Sequence, residues 1–192
     1  MASNLEANTD AGKQLRFFIA LVPPQPIQDY ANQVKQYFAQ RYNSRKALNS
    51  PPHITLQPPF DWPVARLPEI CEGMALFAET QPDFGVAIAG FAAFPPQVIY
   101  MNVVHSAELA ATKLALMDFM ETRFGILNLK ERNRPFKPHL TVAFRDLKPA
   151  TFRQAWPEFQ DKAVYFQFMA RYLTLLQHNG QRWIIQSQYA LA

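Results

Sequence analysis

The chain has 192 residues, enough to bury about 70% of the surface its unfolded form exposes, and so to form one domain or two small lobes around a shared core. Nearly half of it is apolar and sixteen residues are Phe, yet no apolar run nears the ~18 residues of a membrane-spanning helix, and a single cysteine leaves no disulfide framework. The net charge of +4 is compatible with an anionic ligand but falls well short of a polybasic binder. Residues 1–14 are polar, with neither a basic stretch nor an apolar core of the signal-peptide kind. They read as a flexible N-terminal tail on a cytoplasmic protein.

Arg16–Val22 is apolar and β-rich, is bounded by Pro23-Pro24, and reads as a buried strand. Pro26 suits the first turn of the helix that follows, whose stripe of Ile27, Tyr30, Ala31, Val34, Tyr37 and Phe38 runs to about Arg41. A loop over 42–52 leads to Pro52-His53-Ile54-Thr55-Leu56, after which Pro58-Pro59-Phe60-Asp61-Trp62-Pro63 is expected to forbid regular structure and to hold two aromatics in a stiff loop. Those two, Phe60 and Trp62, are candidates to stack on a base. A second helix is expected over Leu67–Glu79, with Cys71 on its apolar side as a small buried hydrophobe. Strands over Phe84–Phe94 and Gln97–Val104 come next, then a helix over Ser106–Phe124 capped by Ser106. A strand over His139–Phe144, a helix over Ala150–Phe159 and a strand from Val164 to Gln177 complete the run. The turn His178-Asn179-Gly180-Gln181 folds the chain back onto Arg182–Gln188, Asn-Gly being a strong hairpin signal.

The stretch around His53 returns as Pro138-His139-Leu140-Thr141-Val142, eighty-six residues on. In a strand, alternate side chains share a face, so His53 and Thr55 lie about 7 Å apart on one side while Ile54 and Leu56 anchor the other. The second copy does the same with His139 and Thr141. Two imidazoles and two hydroxyls facing one another make a symmetric pocket suited to a phosphate. From strand start to motif is 37 residues in one half and 41 in the other, which points to an internal duplication. Lys130, Arg132, Arg134 and Lys137 precede His139 and Arg145 follows it. Of these, Arg134, Lys137 and Arg145 are candidate substrate contacts. His105 and His178 lack the motif and read as structural or exposed. Neither motif has a further His or a carboxylate at ligand spacing, so no metal and no cofactor are expected.

With Arg16-Phe17-Phe18-Ile19-Ala20-Leu21 and Pro23-Pro24 as an opening strand and turn, the two His-x-Thr motifs give the chain a resemblance to the 2H phosphoesterase superfamily, and within it to the 2'-5' RNA ligase-like proteins and RNA 2',3'-cyclic phosphodiesterases. The Gln57-Pro58-Pro59-Phe60 continuation is closer to uncharacterised bacterial branches. The pattern and the resemblance together predict an α+β fold: a bilobal, pseudo-twofold duplicated arrangement of sheet and helices over 15–192, with lobes of roughly 15–95 and 96–192, strands exchanged between them, and a central cleft carrying both motif strands.

A cyclic phosphate is opened by a base that takes a proton from water and an acid that gives one to the departing ribose oxygen. Two histidines near the free imidazole value of about 6.5 can share that work, with Thr55 and Thr141 holding the non-bridging oxygens. The expectation is a metal-independent, monomeric phosphodiesterase acting on an RNA end or nucleotide 2',3'-cyclic phosphate, with reverse 2'-5' ligation through the same site. The symmetry leaves open which histidine is the acid. The rival readings are hydrolysis of another small cyclic phosphate, such as a cyclic nucleotide or an ADP-ribose cyclic phosphate, and a nucleotide or RNA-end binding module without turnover.

Overall fold

The computed structural model describes residues 13–192. The expected tail therefore lies outside the described residues except at its end, where Gln14 already belongs to the first strand. In chain order the elements are β1 (Gln14–Leu21), α1 (Gln25–Arg41), β2 (Ile54–Pro63), α2 (Leu67–Glu79), β3 (Phe84–Phe94), β4 (Val98–Val103), α3 (Ala107–Phe124), α4 (Leu129–Arg132), β5 (His139–Ala143), α5 (Pro149–Phe159), β6 (Tyr165–Ala170), β7 (Tyr172–His178) and β8 (Trp183–Ala190). Short 3-10 turns occupy Lys46–Asn49 and Val64–Arg66.

The strands form one antiparallel sheet in the order β6-β3-β4-β5-β2-β1-β7-β8. Its two motif strands, β2 and β5, are neighbours at the middle, and four strands stand on the His53 side and four on the His139 side. These halves cut across the chain: β3 joins the half built from later residues, while β7 and β8 return to β1 and β2. Strands β6 and β7 sit near opposite ends of the order but are separated only by Arg171, so the sheet has to curl until its ends approach each other.

That curl explains one departure from the sequence reading. Val164–Gln177 looks like one strand because nothing in it breaks β-structure. It is instead two strands, because β6 pairs with β3 while β7 pairs with β1 and β8. Partners decide the break; no turn residue does. A second departure is the proline-rich 58–63, which is strand rather than loop: Phe60 stands opposite Phe17, Asp61 opposite Arg16, Trp62 opposite Leu15 and Pro63 opposite Gln14. The register slips between Phe17 and Ile19, where Pro58 and Pro59 are accommodated in the irregularity. On its other side β2 meets β5 only at Ile54, so the missing proline N–H groups face no ladder there.

Helices follow the expected stripes except at Tyr37, which is 40% exposed because its hydroxyl turns outward to donate to the Glu158 carboxylate. Ile27, Ala31, Val34 and Phe38 of α1, Ile70, Met74 and Phe77 of α2, and Leu109, Leu116 and Met120 of α3 join Phe17, Ile19, Leu21, Ile54, Leu56, Leu140 and Val142 in one core. The Ser106 hydroxyl accepts from the Leu109 amide at 3.2 Å, and Gly125 ends α3 with φ of 67°. Cys71 is half-buried against this core. No helix among the described residues is long and apolar enough to cross a membrane.

Candidate active site

Alternation holds in both motif strands. Ile54, Leu56, Leu140 and Val142 are fully buried, whereas His53, Thr55, His139 and Thr141 keep part of their surface. With Ile54 opposite Leu140 in antiparallel register, His53 falls beside Thr141 and Thr55 beside His139 on one face.

Both imidazoles are held in the same way. The Nδ1 of His53 lies 2.7 Å from the Pro51 carbonyl oxygen, and the Nδ1 of His139 lies 2.7 Å from that of Lys137. A carbonyl only accepts, so Nδ1 carries the proton in each ring, and Nε2 is the nitrogen that can give or take one. In each case the carbonyl two residues upstream aims its histidine, a use of the Pro-Pro and Lys-Pro lead-ins that the motif alone does not reveal.

The surroundings break the symmetry. His53 lies against Phe18 of β1 at 4.7 Å between ring centroids, and Phe18 in turn meets Trp183 at 4.6 Å. Burial pushes the His53 imidazole down to about 4; its bond to Pro51 opposes this, and repulsion from the charged forms of Lys35 and His139 reinforces it. The sequence reading placed both histidines near the free imidazole value, and for His53 that is corrected: the residue is neutral at pH 7. His139 has a different setting, with Phe94 and Tyr100 each 5.2 Å away.

A cavity of about 440 Å³ opens on the His139 side, lined by Thr55, Leu56, Pro58, Phe94, Lys113, Arg134, Pro135, Phe136, Lys137 and His139. It brings together four of the residues expected from sequence, Thr55, His139, Arg134 and Lys137. His53 and Thr141 stand next to it on the same sheet face without lining it, and the remaining candidates lie elsewhere. Trp62 is buried in the core, where its indole N–H donates to the Arg66 carbonyl at 2.8 Å and its ring meets Phe124. Phe60 is half-buried, packed on Phe17 at 6.2 Å. Arg145 is exposed, with its guanidinium 5.2 Å over the Phe144 ring. His105 is exposed near Phe136, and His178 sits in the hairpin with its Nδ1 accepting from the Gly180 amide at 3.2 Å.

Three residues that sequence reasoning missed bear on the site. Phe94 and Phe136 wall the cavity, and Lys113 of α3 lines it with its Nζ 4.9 Å over the Phe136 ring. A fourth, Lys35 of α1, is only 1% exposed; its Nζ donates to the Ser50 carbonyl at 2.9 Å, and burial lowers the ammonium to about 7. The available signal was a lysine on an apolar helical stripe, four residues after Ala31 and three before Phe38. Asp146, just after β5, accepts from the Ser44 hydroxyl at 2.8 Å and from the Arg45 and Lys46 amides at 2.6 and 2.9 Å. It ties the segment leading to the first motif to the segment leaving the second.

A family model described as the 2'-5' RNA ligase superfamily matches residues 23–182. The chain belongs to the 2'-5' RNA ligase superfamily. Among its relatives is a Bacillus cytotoxicus protein named as a phosphoesterase, 29% identical over 180 residues that cover 92% of this chain and 97% of that one. A similarly named Geobacillus thermodenitrificans protein is 27% identical over 180 residues, 92% and 96% of the two chains. In fold, a crystal structure from Thermus thermophilus superposes with a TM-score of 0.64 at 18% identity, covering 92% of this chain and 97% of its own. E. coli LigT complexed with 3'-AMP gives 0.57 at 18% identity, over 94% and 99%. The family match supports a phosphoesterase or RNA ligase-like activity, and the fold of this chain is also that of these two solved structures.

Proposed function

We propose that this superfamily member is a metal-independent phosphodiesterase that hydrolyses a nucleotide or RNA 2',3'-cyclic phosphate within a single two-lobed unit. The observation that carries the reading is the pair of motif strands, side by side, each with its histidine Nδ1 bound to the carbonyl two residues before it. Both Nε2 atoms are thereby presented to the same face.

The unequal settings assign the roles. His53, neutral at pH 7, takes a proton from water through Nε2. The hydroxide attacks phosphorus, the bond to one ribose oxygen breaks, and that oxygen receives a proton from Nε2 of protonated His139. The product is a phosphomonoester, and the two rings recover their starting states by exchanging one proton with solvent. Thr55 and Thr141 donate to the non-bridging oxygens, where negative charge builds. Arg134 and Lys137 add positive charge at the cavity, and Phe94 and Phe136 offer ring faces for the nucleoside. The complex of LigT with 3'-AMP supports a nucleotide-sized ligand for this fold. Run backwards, the same proton transfers form a phosphodiester from a cyclic end and a hydroxyl.

The deciding experiment is turnover of 2',3'-cyclic nucleotides, RNA with a cyclic phosphate end, 3',5'-cyclic nucleotides and ADP-ribose cyclic phosphate. Opening of the 2',3'-cyclic substrates, lost in His53→Ala and in His139→Ala, is the expected result. Activity that is confined to another class, or that survives either substitution, overturns the proposal.

A further inference from the structure

Lys35 is a buried cation that neither the proposed proton transfers nor the phosphate contacts use. It stands on α1, 1% exposed, on the same helical face as Ala31, Val34 and Phe38. Burying an ammonium is costly unless something is gained in return. Its Nζ donates to the Ser50 carbonyl at 2.9 Å, and the next carbonyl along the chain, that of Pro51, is the one that accepts from His53 Nδ1 at 2.7 Å. Two adjacent carbonyls thus hold two basic side chains, and Pro51 and Pro52 restrict the backbone between them and His53.

We propose that Lys35 is a positioning residue for His53, pinning the Ser50–Pro52 segment that aims the imidazole and setting a positive charge behind it. The charge acts in a known direction. Among the described residues, the titratable groups that bear on His53 are Lys35 from α1 and His139 from β5, both of which disfavour its protonation, while the residue against it from β1, Phe18, is uncharged. Lys35 itself sheds its proton near neutrality, so its influence on His53 is strongest on the acid side. A buried lysine in this place keeps the base deprotonated as the pH falls. The catalytic part of this inference rests on the two-histidine reading; the structural part does not.

The test combines Lys35→Met and Lys35→Arg with a titration of the unaltered protein. In Lys35→Met, kcat/KM for a 2',3'-cyclic nucleotide should fall about ten- to a hundredfold through kcat, because the His53 carbonyl anchor loosens. Its acid limb should move up by roughly one pH unit as the like charge disappears. Lys35→Arg should return the limb to its wild-type position. In the wild-type protein the His53 ring 15N shifts, followed from pH 3 to 9, should show Nδ1 protonated in the neutral ring, a main inflection near 4 and a second at the midpoint of the Lys35 Cε titration. A folded Lys35→Met protein with unchanged kcat and unchanged limb overturns the proposal. So does a His53 titration that ignores Lys35, and that measurement stands even if the methionine variant fails to fold. Histidine–lysine coupling in a protein without cyclic phosphate turnover would instead overturn the catalytic reading alone.

Discussion

Ile54 of β2 stands opposite Leu140 of β5, and this single register pair joins the two motif strands. Each residue lies between the histidine and threonine of its motif, so one contact sets the relation of the four side chains proposed to form the site. It is also where the halves of the sheet meet: beyond it the strands part, leaving room for the cavity beside Thr55 and His139.

The first expected outcome concerns the histidines. His53→Ala and His139→Ala should each lower kcat by roughly a hundredfold or more, with KM little changed, since each removes one positioned proton carrier. The pH profile should be bell-shaped, with its acid limb well below the free imidazole value because His53 resists protonation down to about 4. Steady-state kinetics across pH check both points, and an acid limb near 6.5 would contradict the role given to His53.

Replacing Thr55 or Thr141 by Val removes a proposed donor to the phosphoryl oxygens without touching the proposed proton carriers. The rate should fall by up to about 3–4 kcal/mol of transition-state stabilisation, with neither limb displaced. Movement of a limb in either variant would show that the threonine acts through its histidine.

Substitutions in the cavity should separate binding from chemistry. Phe94→Ala, and Arg134→Ala combined with Lys137→Ala, should raise KM severalfold while kcat holds, because these residues line the cavity beside His139 without carrying a proton. Trp62→Phe should instead lower the melting temperature and leave KM alone, since Trp62 sits in the core and bonds to the Arg66 carbonyl.

Stability should also respond to His53. Its folded value lies below its unfolded one, so the folded state favours the neutral ring: the contribution is complete above about pH 6.5 and disappears as pH falls through about 4. Over that window the loss should reach roughly 3 kcal/mol. Urea unfolding between pH 4 and 7.5 should show wild type losing more stability than His53→Gln by about that amount. Parallel curves would refute the burial of the ring.

Chelation provides a separate check. Among the described residues no three of His, Cys, Asp and Glu come together, and the Nδ1 of each motif histidine is already bound to a carbonyl. Turnover should be indifferent to EDTA; loss on chelation with recovery on adding a divalent ion would reverse that expectation.

The sequence by itself determined the motif strands, because a two-residue alternation is local and both copies write it in full: His and Thr on one side, Ile54, Leu56, Leu140 and Val142 on the other. It determined the four long helices, whose apolar stripes and end signals such as Ser106 are also local, and the Asn179-Gly180 hairpin, but not the short α4, which has no such stripe. Only the tertiary structure decided which strands share a half of the sheet, since β3, β7 and β8 choose partners far away in sequence. The same holds for 58–63, a strand because β1 lends it partners, and for Val164–Gln177, divided because its two ends pair at opposite sides. It alone placed Trp62 in the core, Phe94 and Phe136 around the cavity, and Lys35 beneath the segment that aims His53. Those relations depend on burial and on distance through space, and burial is what holds the His53 imidazole below its ordinary value.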